Sequence, residues 1–175
     1  LRRSRGLGDV YKRQLFDLSE SDRIFREKGL TAYSKYQIEN ENVVLNQGDA
    51  FHLAQKLLNI NKLSKKKLVE IILLSRNSAD TGLRVFNSIK HYNLDIKRAA
   101  FSGGSSPYRY ISNFSCDLFL SRNSIDVREA LENDLAAATL ISSNSKQCVD
   151  SQIRFAFDGD CLLYTSPSHE TFANL

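Results

Sequence analysis

Along the middle of the chain, apolar positions recur in two alternating rhythms, and the alternation predicts an architecture. From Asp49 to Asn59, Ala50, Phe51, Ala54, Leu57 and Leu58 fall at the spacing of one helix face. Val69 to Leu74 is then a short apolar run fit for a strand buried on both sides, followed by a helix from Ala79 to Tyr92 with Leu83, Phe86 and Ile89 expected inward. Ala99 to Phe101 and Asp117 to Leu120 predict further strands, separated by a loop and a helix around Tyr108 to Phe114. A helix over Ile125 to Leu131, capped by Ser124, leads to strands at Ala136 to Ile141 and Ile153 to Phe157. Upstream, Ser19 with Asp22 three residues on has the form of a capping box, opening a helix that Gly29 can end before a second one through Tyr33, Tyr36 and Ile38. Strand then helix, repeated, means parallel strands with crossover helices: an α/β, three-layer, Rossmann-like domain. Ser142 to Ser151, rich in Ser, Asn, Lys and Gln, reads as a linker, carried to residue 152.

Both ends stand apart from this pattern. Leu1 to Gln14 resembles a translated sequencing-library adaptor, and Cys161 to Ser168 resembles its counterpart, so residues 1–14 and 161–175 are set aside as non-native. That changes the charge. The formal +4 and basic pI would invite a nucleic-acid partner. Without Arg2, Arg3, Arg5, Lys12 and Arg13, and without the acids Asp9 and Glu170, 19 basic residues face 18 acidic ones. The remaining basic run, Lys62 with Lys65 to Lys67, lies between a helix and a strand, the usual place of a solvated loop. No nucleic-acid partner is expected. About 146 residues suffice for one globular domain, and no apolar run approaches the roughly 20 residues that span a bilayer. Cys116, Cys148 and Cys161 are odd in number and widely spaced, arguing against a disulfide framework or a zinc site and for a reducing, cytoplasmic setting.

In open parallel sheets ligands bind beyond the carboxyl ends of the strands. Those positions are Ser75-Arg76-Asn77, Ser102-Gly103-Gly104, Ser121-Arg122-Asn123 and Asp158-Gly159-Asp160. All are small, polar or charged, although turn chemistry alone favours such residues. Gly103 to Ser106 offers backbone N–H groups that could cradle a phosphate at a helix start, but it lacks the Lys-Ser/Thr ending of a P-loop. His52, His91 and His169 fall in a helix, near a helix end and in the set-aside tail, so surface or capping roles outweigh catalytic ones. Asp158 and Asp160 are the strongest local signal: two carboxylates, one residue apart, just past an apolar strand. Asp-Gly-Asp also occurs in plain turns and calcium loops.

The wider context resembles the cytosolic 5'-nucleotidase I family, whose phosphatase domain belongs to the haloacid-dehalogenase-like (HAD) superfamily. The words that carry the resemblance run in order through Tyr36-Gln37, Glu39 to Asn42, Leu74 to Asn77, Thr81 to Ile89, His91-Tyr92, Gly103 to Tyr108, Asp117 to Ser121, Val127 to Ala130 and Phe157 to Asp160. The resemblance implies a magnesium-dependent phosphomonoesterase releasing phosphate from nucleoside monophosphates such as AMP or IMP. It implies that Asp158 is the nucleophile, forming an aspartyl-phosphate, and Asp160 the general acid and base, with both at the metal. Magnesium, held by oxygen ligands, would offset the repulsion between carboxylates and phosphate.

The resemblance also suggests that the chain holds a severed enzyme. Leu15 to Phe25 echoes the residues after the catalytic Asp-Gly-Asp in the family, so residues 15–141 read as a degenerate HAD-like repeat and residues 153–160 as the first strand and motif of a truncated catalytic domain. In the repeat Ser75 stands where a hydroxyl would bind the phosphoryl group, now vestigial, while Ser102, Gly103 and Gly104 are weak phosphate-binding candidates. The expected lysine is missing near Pro107 and Tyr108, Ser121 and Arg122 replace the metal-binding acids, and Asp17 falls too late to be a nucleophile. The 175 residues alone are therefore expected to be inactive. Structural support, a nucleotide effector site at Ser102 to Ser106 and a homo-oligomer interface stay open as roles for the repeat. A non-catalytic nucleotide-binding or interaction module, or another HAD-like phosphatase, are the competing accounts.

Overall fold

The computed structural model describes residues 15–105, 108–141 and 152–156. The first helical element, α1 (Ser19–Glu39), is two helices joined at a kink where Gly29 takes φ 79°, a left-handed backbone that glycine adopts without a Cβ penalty. Its start differs from the expected capping box. Asp17 Oδ1 accepts from the Ser19 N–H at 2.9 Å, while Asp22 is buried and pairs with Arg26 one turn along. Helix α2 (Phe51–Asn59) follows, extended by a 3-10 turn over Ile60–Leu63.

Next come β1 (Ile72–Ser75), α3 (Asp80–His91) and β2 (Arg98–Phe101), a β-α-β unit whose strands pair in parallel from Ile72↔Arg98 to Ser75↔Phe101. A second unit repeats the plan. After the short helix α4 (Tyr108–Ile111) and a 3-10 turn over Ser112–Phe114, β3 (Leu118–Ser121), α5 (Ser124–Leu131) and β4 (Ala136–Thr139) pair in parallel from Leu118↔Ala136 to Ser121↔Thr139. The fold is α/β, with parallel strands and crossover helices. Among the described residues, however, the strands form two two-stranded sheets, with no ladder between β1 and β3.

Adjacent residues of β1 show the layering. Leu73 packs into a core with Phe16, Phe51, Val85 and Ile89, whereas Leu74 packs into a smaller one around Ile111, Phe119 and Ala130. Successive strand residues point to opposite faces, so helices flank β1 on both sides. Three rings tie the larger core: Phe51 lies 6.2 Å from Phe16 and 5.0 Å from Tyr92, and Phe16 stacks on Tyr92 at 5.9 Å. Gly82 lets α3 approach β2, since a Cβ there would meet the Phe101 ring at 3.2 Å.

Helix α3 buries Ile89 and packs Phe86 against the larger core as its periodicity predicts, but Leu83 is exposed. Polar residues of α3 are buried as well: Thr81 and Arg84 toward α1, and Ser88, whose Oγ accepts from the Leu45 N–H at 3.0 Å. Tyr33 Oη and Thr81 Oγ1 share a hydrogen bond of 2.6 Å, Ser34 Oγ donates to Asp80 Oδ2 at 2.7 Å, and Arg84 donates to Gln37 Oε1 at 3.3 Å and to the Val43 carbonyl at 2.9 Å. These bonds offset the desolvation of the groups that make them, so a polar face could be turned inward. Two further expectations shift. Asn123, not Ser124, caps α5, its Oδ1 accepting from the Ile125 N–H at 3.0 Å. Ile153 to Ala156 forms no ladder with another strand among the described residues, and Phe157 lies outside them.

Candidate functional site

The carboxyl ends of the strands bring two of the four predicted stretches, 75–77 and 102–104, into contact, and Arg76 links them to Asp126 just beyond the third. Ser75 and Ser121 end β1 and β3, and each begins the same four residues, Ser-Arg-Asn-Ser, at 75–78 and 121–124. The local geometry repeats as well. Ser75 Oγ accepts from the Asn77 N–H at 3.2 Å and Ser121 Oγ from the Asn123 N–H at 3.1 Å. The carbonyl of Ser75 accepts from the Ser102 N–H, and that of Ser121 from the Leu140 N–H, both at 2.8 Å. That repetition is a signal in the sequence which motif reading by itself passes over.

The glycine loop closes onto the first of these turns. Gly103 and Gly104 adopt φ of 57° and 94°. Their N–H groups donate to the carbonyls of Asn77, at 3.1 Å, and Arg76, at 2.6 Å, while Ser105 N–H donates to Ser102 at 3.2 Å. The Ser102 hydroxyl lies 2.5 Å from the Ser105 carbonyl and 3.2 Å from that of Ser75. Backbone donors that a phosphate would need are therefore engaged within the protein, and an anion would have to displace them.

Charge on this edge is balanced in the same way. Arg76 reaches from the end of β1 to Asp126 in the first turn of α5 and also lies 3.4 Å from the Gly104 carbonyl. The Asp126 carboxylate is buried, whereas the Arg76 side chain is 41% exposed. Asp80, in the first turn of α3, accepts from Ser34 and Ser78 and complements the helix dipole where an anion would otherwise bind. Sequence reasoning missed the Arg76–Asp126 pair, which joins residues fifty apart. Asp158 and Asp160 lie outside the described residues.

Elsewhere, Cys116 is a free thiol whose pKa burial pushes up. His52 and His91 sit in α2 and at the end of α3, packed edge-on against Phe51 and Tyr92. Lys67 pairs with Glu70 and Asp95 at 3.8 and 3.7 Å. Among the described residues no helix is long and apolar enough to cross a membrane.

A family model described as 5'-nucleotidase matches residues 9–174. The chain belongs to the cytosolic 5'-nucleotidase I family. Human cytosolic 5'-nucleotidase 1B is 34% identical over 161 residues, a span of 88% of this chain and 26% of the relative. The chain thus spans about a quarter of the length of the curated relative it matches. No solved structure matches it. The family match runs past the boundaries drawn at residues 14 and 161.

A 5'-nucleotidase of this kind implies a metal, and the described edge does not fit one. No three His, Cys, Asp or Glu side chains cluster among the described residues. The acids at the strand ends, Asp126 and Asp80, already hold Arg76 and two serine hydroxyls. Hard divalent cations require several converging oxygen ligands.

Proposed function

We propose that the chain is the N-terminal part of a cytoplasmic 5'-nucleotidase that hydrolyses nucleoside 5'-monophosphates of the AMP and IMP class. The observation that carries this reading is a family match extending through Phe155-Ala156-Phe157-Asp158-Gly159-Asp160. In this reading Asp158 attacks the phosphoryl group. Asp160 protonates the leaving ribose oxygen and then takes a proton from the attacking water. Magnesium would supply charge neutralisation at those two carboxylates; the described residues provide no alternative ligand set.

Residues 15–141 are then a HAD-like repeat that supports catalysis without performing it. The engaged donors of Ser102 to Ser105 and the Arg76–Asp126 pair favour a supporting role over an effector site there. The test is phosphate release from AMP and IMP, with and without magnesium. A full-length gene product should turn over only with magnesium and lose at least about 1,000-fold in kcat on Asp158→Asn, the scale of removing a nucleophile. The 175-residue chain should show no turnover. Magnesium-dependent hydrolysis by that chain, abolished by Asp158→Asn, would overturn the assignment of a silent repeat. Full-length turnover unchanged by Asp158→Asn would overturn the assignment of the nucleophile.

A further inference from the structure

Between the 3-10 turn that extends α2 and the start of β1, the chain makes a loop that is closed at its neck and open to solvent beyond it. One side chain closes the neck. Asn61 Oδ1 accepts from the N–H groups of Leu68 and Val69, each at 2.8 Å, and its Nδ2 donates to the Val69 carbonyl at 2.7 Å. With its ends pinned by these three bonds, the segment from Lys62 to Leu68 projects as a unit. Every residue in it is exposed, Leu63 by 85%. Neither of its leucines joins a core, so packing gives no account of the loop.

Its charge is largely uncompensated. Lys67 pairs with Glu70 and Asp95 at the base, whereas Lys62, Lys65 and Lys66 have no acidic partner among the described residues. These ammonium groups surround one hydroxyl, that of Ser64. Its backbone is extended, with φ −140° and ψ 152°. Ser64 Oγ accepts from the Lys66 N–H at 3.1 Å, and its own proton goes to no group among the described residues. The hydroxyls of Ser34 and Ser88, by contrast, are spent inside the protein, on Asp80 and on the Arg84 carbonyl.

We propose that Ser64 is a phosphorylation site for a protein kinase with an acidic substrate groove. An extended, projecting segment offers its hydroxyl without local unfolding, and lysines on both sides of the acceptor are the charge pattern that an acidic groove selects. The kinase supplies ATP and magnesium. A bond forms between Ser64 Oγ and the γ-phosphorus as the bond from that phosphorus to ADP breaks, and the hydroxyl proton passes to the kinase's catalytic aspartate. The product carries about two negative charges among Lys62, Lys65 and Lys66, which turns a self-repelling cluster into a paired one. None of this rests on the proposed 5'-nucleotidase function.

The test treats the full 175-residue chain with a purified kinase of this basic-directed class, ATP and magnesium, and locates phosphate by tandem mass spectrometry. Ser64 should take up most of the label, and Ser64→Ala should remove that share. The folded chain should react within about 10-fold of a synthetic peptide covering residues 59–70, since the loop needs no opening. Lys65→Glu combined with Lys66→Glu should lower kcat/KM at Ser64 by at least about 10-fold, because like charges then face the groove. Circular dichroism checks that these surface variants keep their helices. Label found chiefly on another serine or threonine would overturn the proposal. So would a folded chain more than about 100-fold slower than the peptide, which would mean that the loop is closed to a kinase. An unchanged kcat/KM in the double variant would equally sink it, because the lysines would then not be read.

Discussion

The two β-α-β units share a plan and a turn, Ser-Arg-Asn-Ser, yet they are held in place by different means. The first lies against the larger core, where Phe51 is 1% exposed and α1 seals α3 with buried hydrogen bonds. The second rests on Ile111, Phe119 and Ala130, and leaves Leu118, Ile125 and Leu131 exposed. Strand β4 is Ala-Ala-Ala-Thr, with little side chain to bury. Parallel strands are ordinarily covered on both faces, and only the first unit approaches that condition. A shared local sequence thus sets the turn, while stability depends on what the surroundings place against it.

Core truncation should break the comparison most strongly. Phe51→Ala should cost about 3–5 kcal/mol, as for a fully enclosed ring, and Phe119→Ala distinctly less, since its sheet is covered on one face. Urea denaturation of the two variants measures the difference, and equal losses would abolish the contrast between the units.

Next is the strut that joins them. Arg76→Ala leaves the buried Asp126 carboxylate without its guanidinium. The loss should be about 1–3 kcal/mol, discounted from a fully buried pair because Arg76 is partly exposed. Pairing it with Asp126→Asn should recover most of that loss in thermal unfolding. Strictly additive losses would mean that the strut carries no coupling.

The smallest effect sharpens the description of the first unit's far end. Arg98, on β2, donates to both oxygens of Glu70 at 3.1 and 2.7 Å, and this pairing holds the Glu70 carboxyl below the usual carboxylate range. A pKa depressed on folding contributes stability above the unfolded value and loses it as pH falls through the folded one. Glu70 should therefore titrate below an ordinary glutamate by NMR, and Arg98→Gln should bring its midpoint back toward that range. An unchanged midpoint would mean that the bidentate pair does not persist in solution.

Much of this was legible in the residues. Short apolar runs bounded by polar turn residues located β1 to β4, and Gly29 marked the break in α1. Other features were hidden because they depend on partners distant in sequence. The polar face of α3 is tolerated only because α1 and Val43 supply its hydrogen bonds, and nothing near Leu83 shows that it points to water. At the carboxyl edge, the loop of Ser102, Gly103 and Gly104 meets the turn that begins at Ser75. Their geometry turns the N–H groups onto neighbouring carbonyls, a result of backbone direction rather than residue type.

By itself, then, the sequence determined the alternation of helix and strand, the polar residues at the strand ends and the family, because these depend on side-chain period and local residue identity. Only the tertiary structure decided that Arg76 meets Asp126, that the glycine loop satisfies itself, and that among the described residues β1 pairs with β2 and β3 with β4 in separate ladders. Those outcomes depend on which groups arrive within hydrogen-bonding distance after packing, and packing is set by the whole chain.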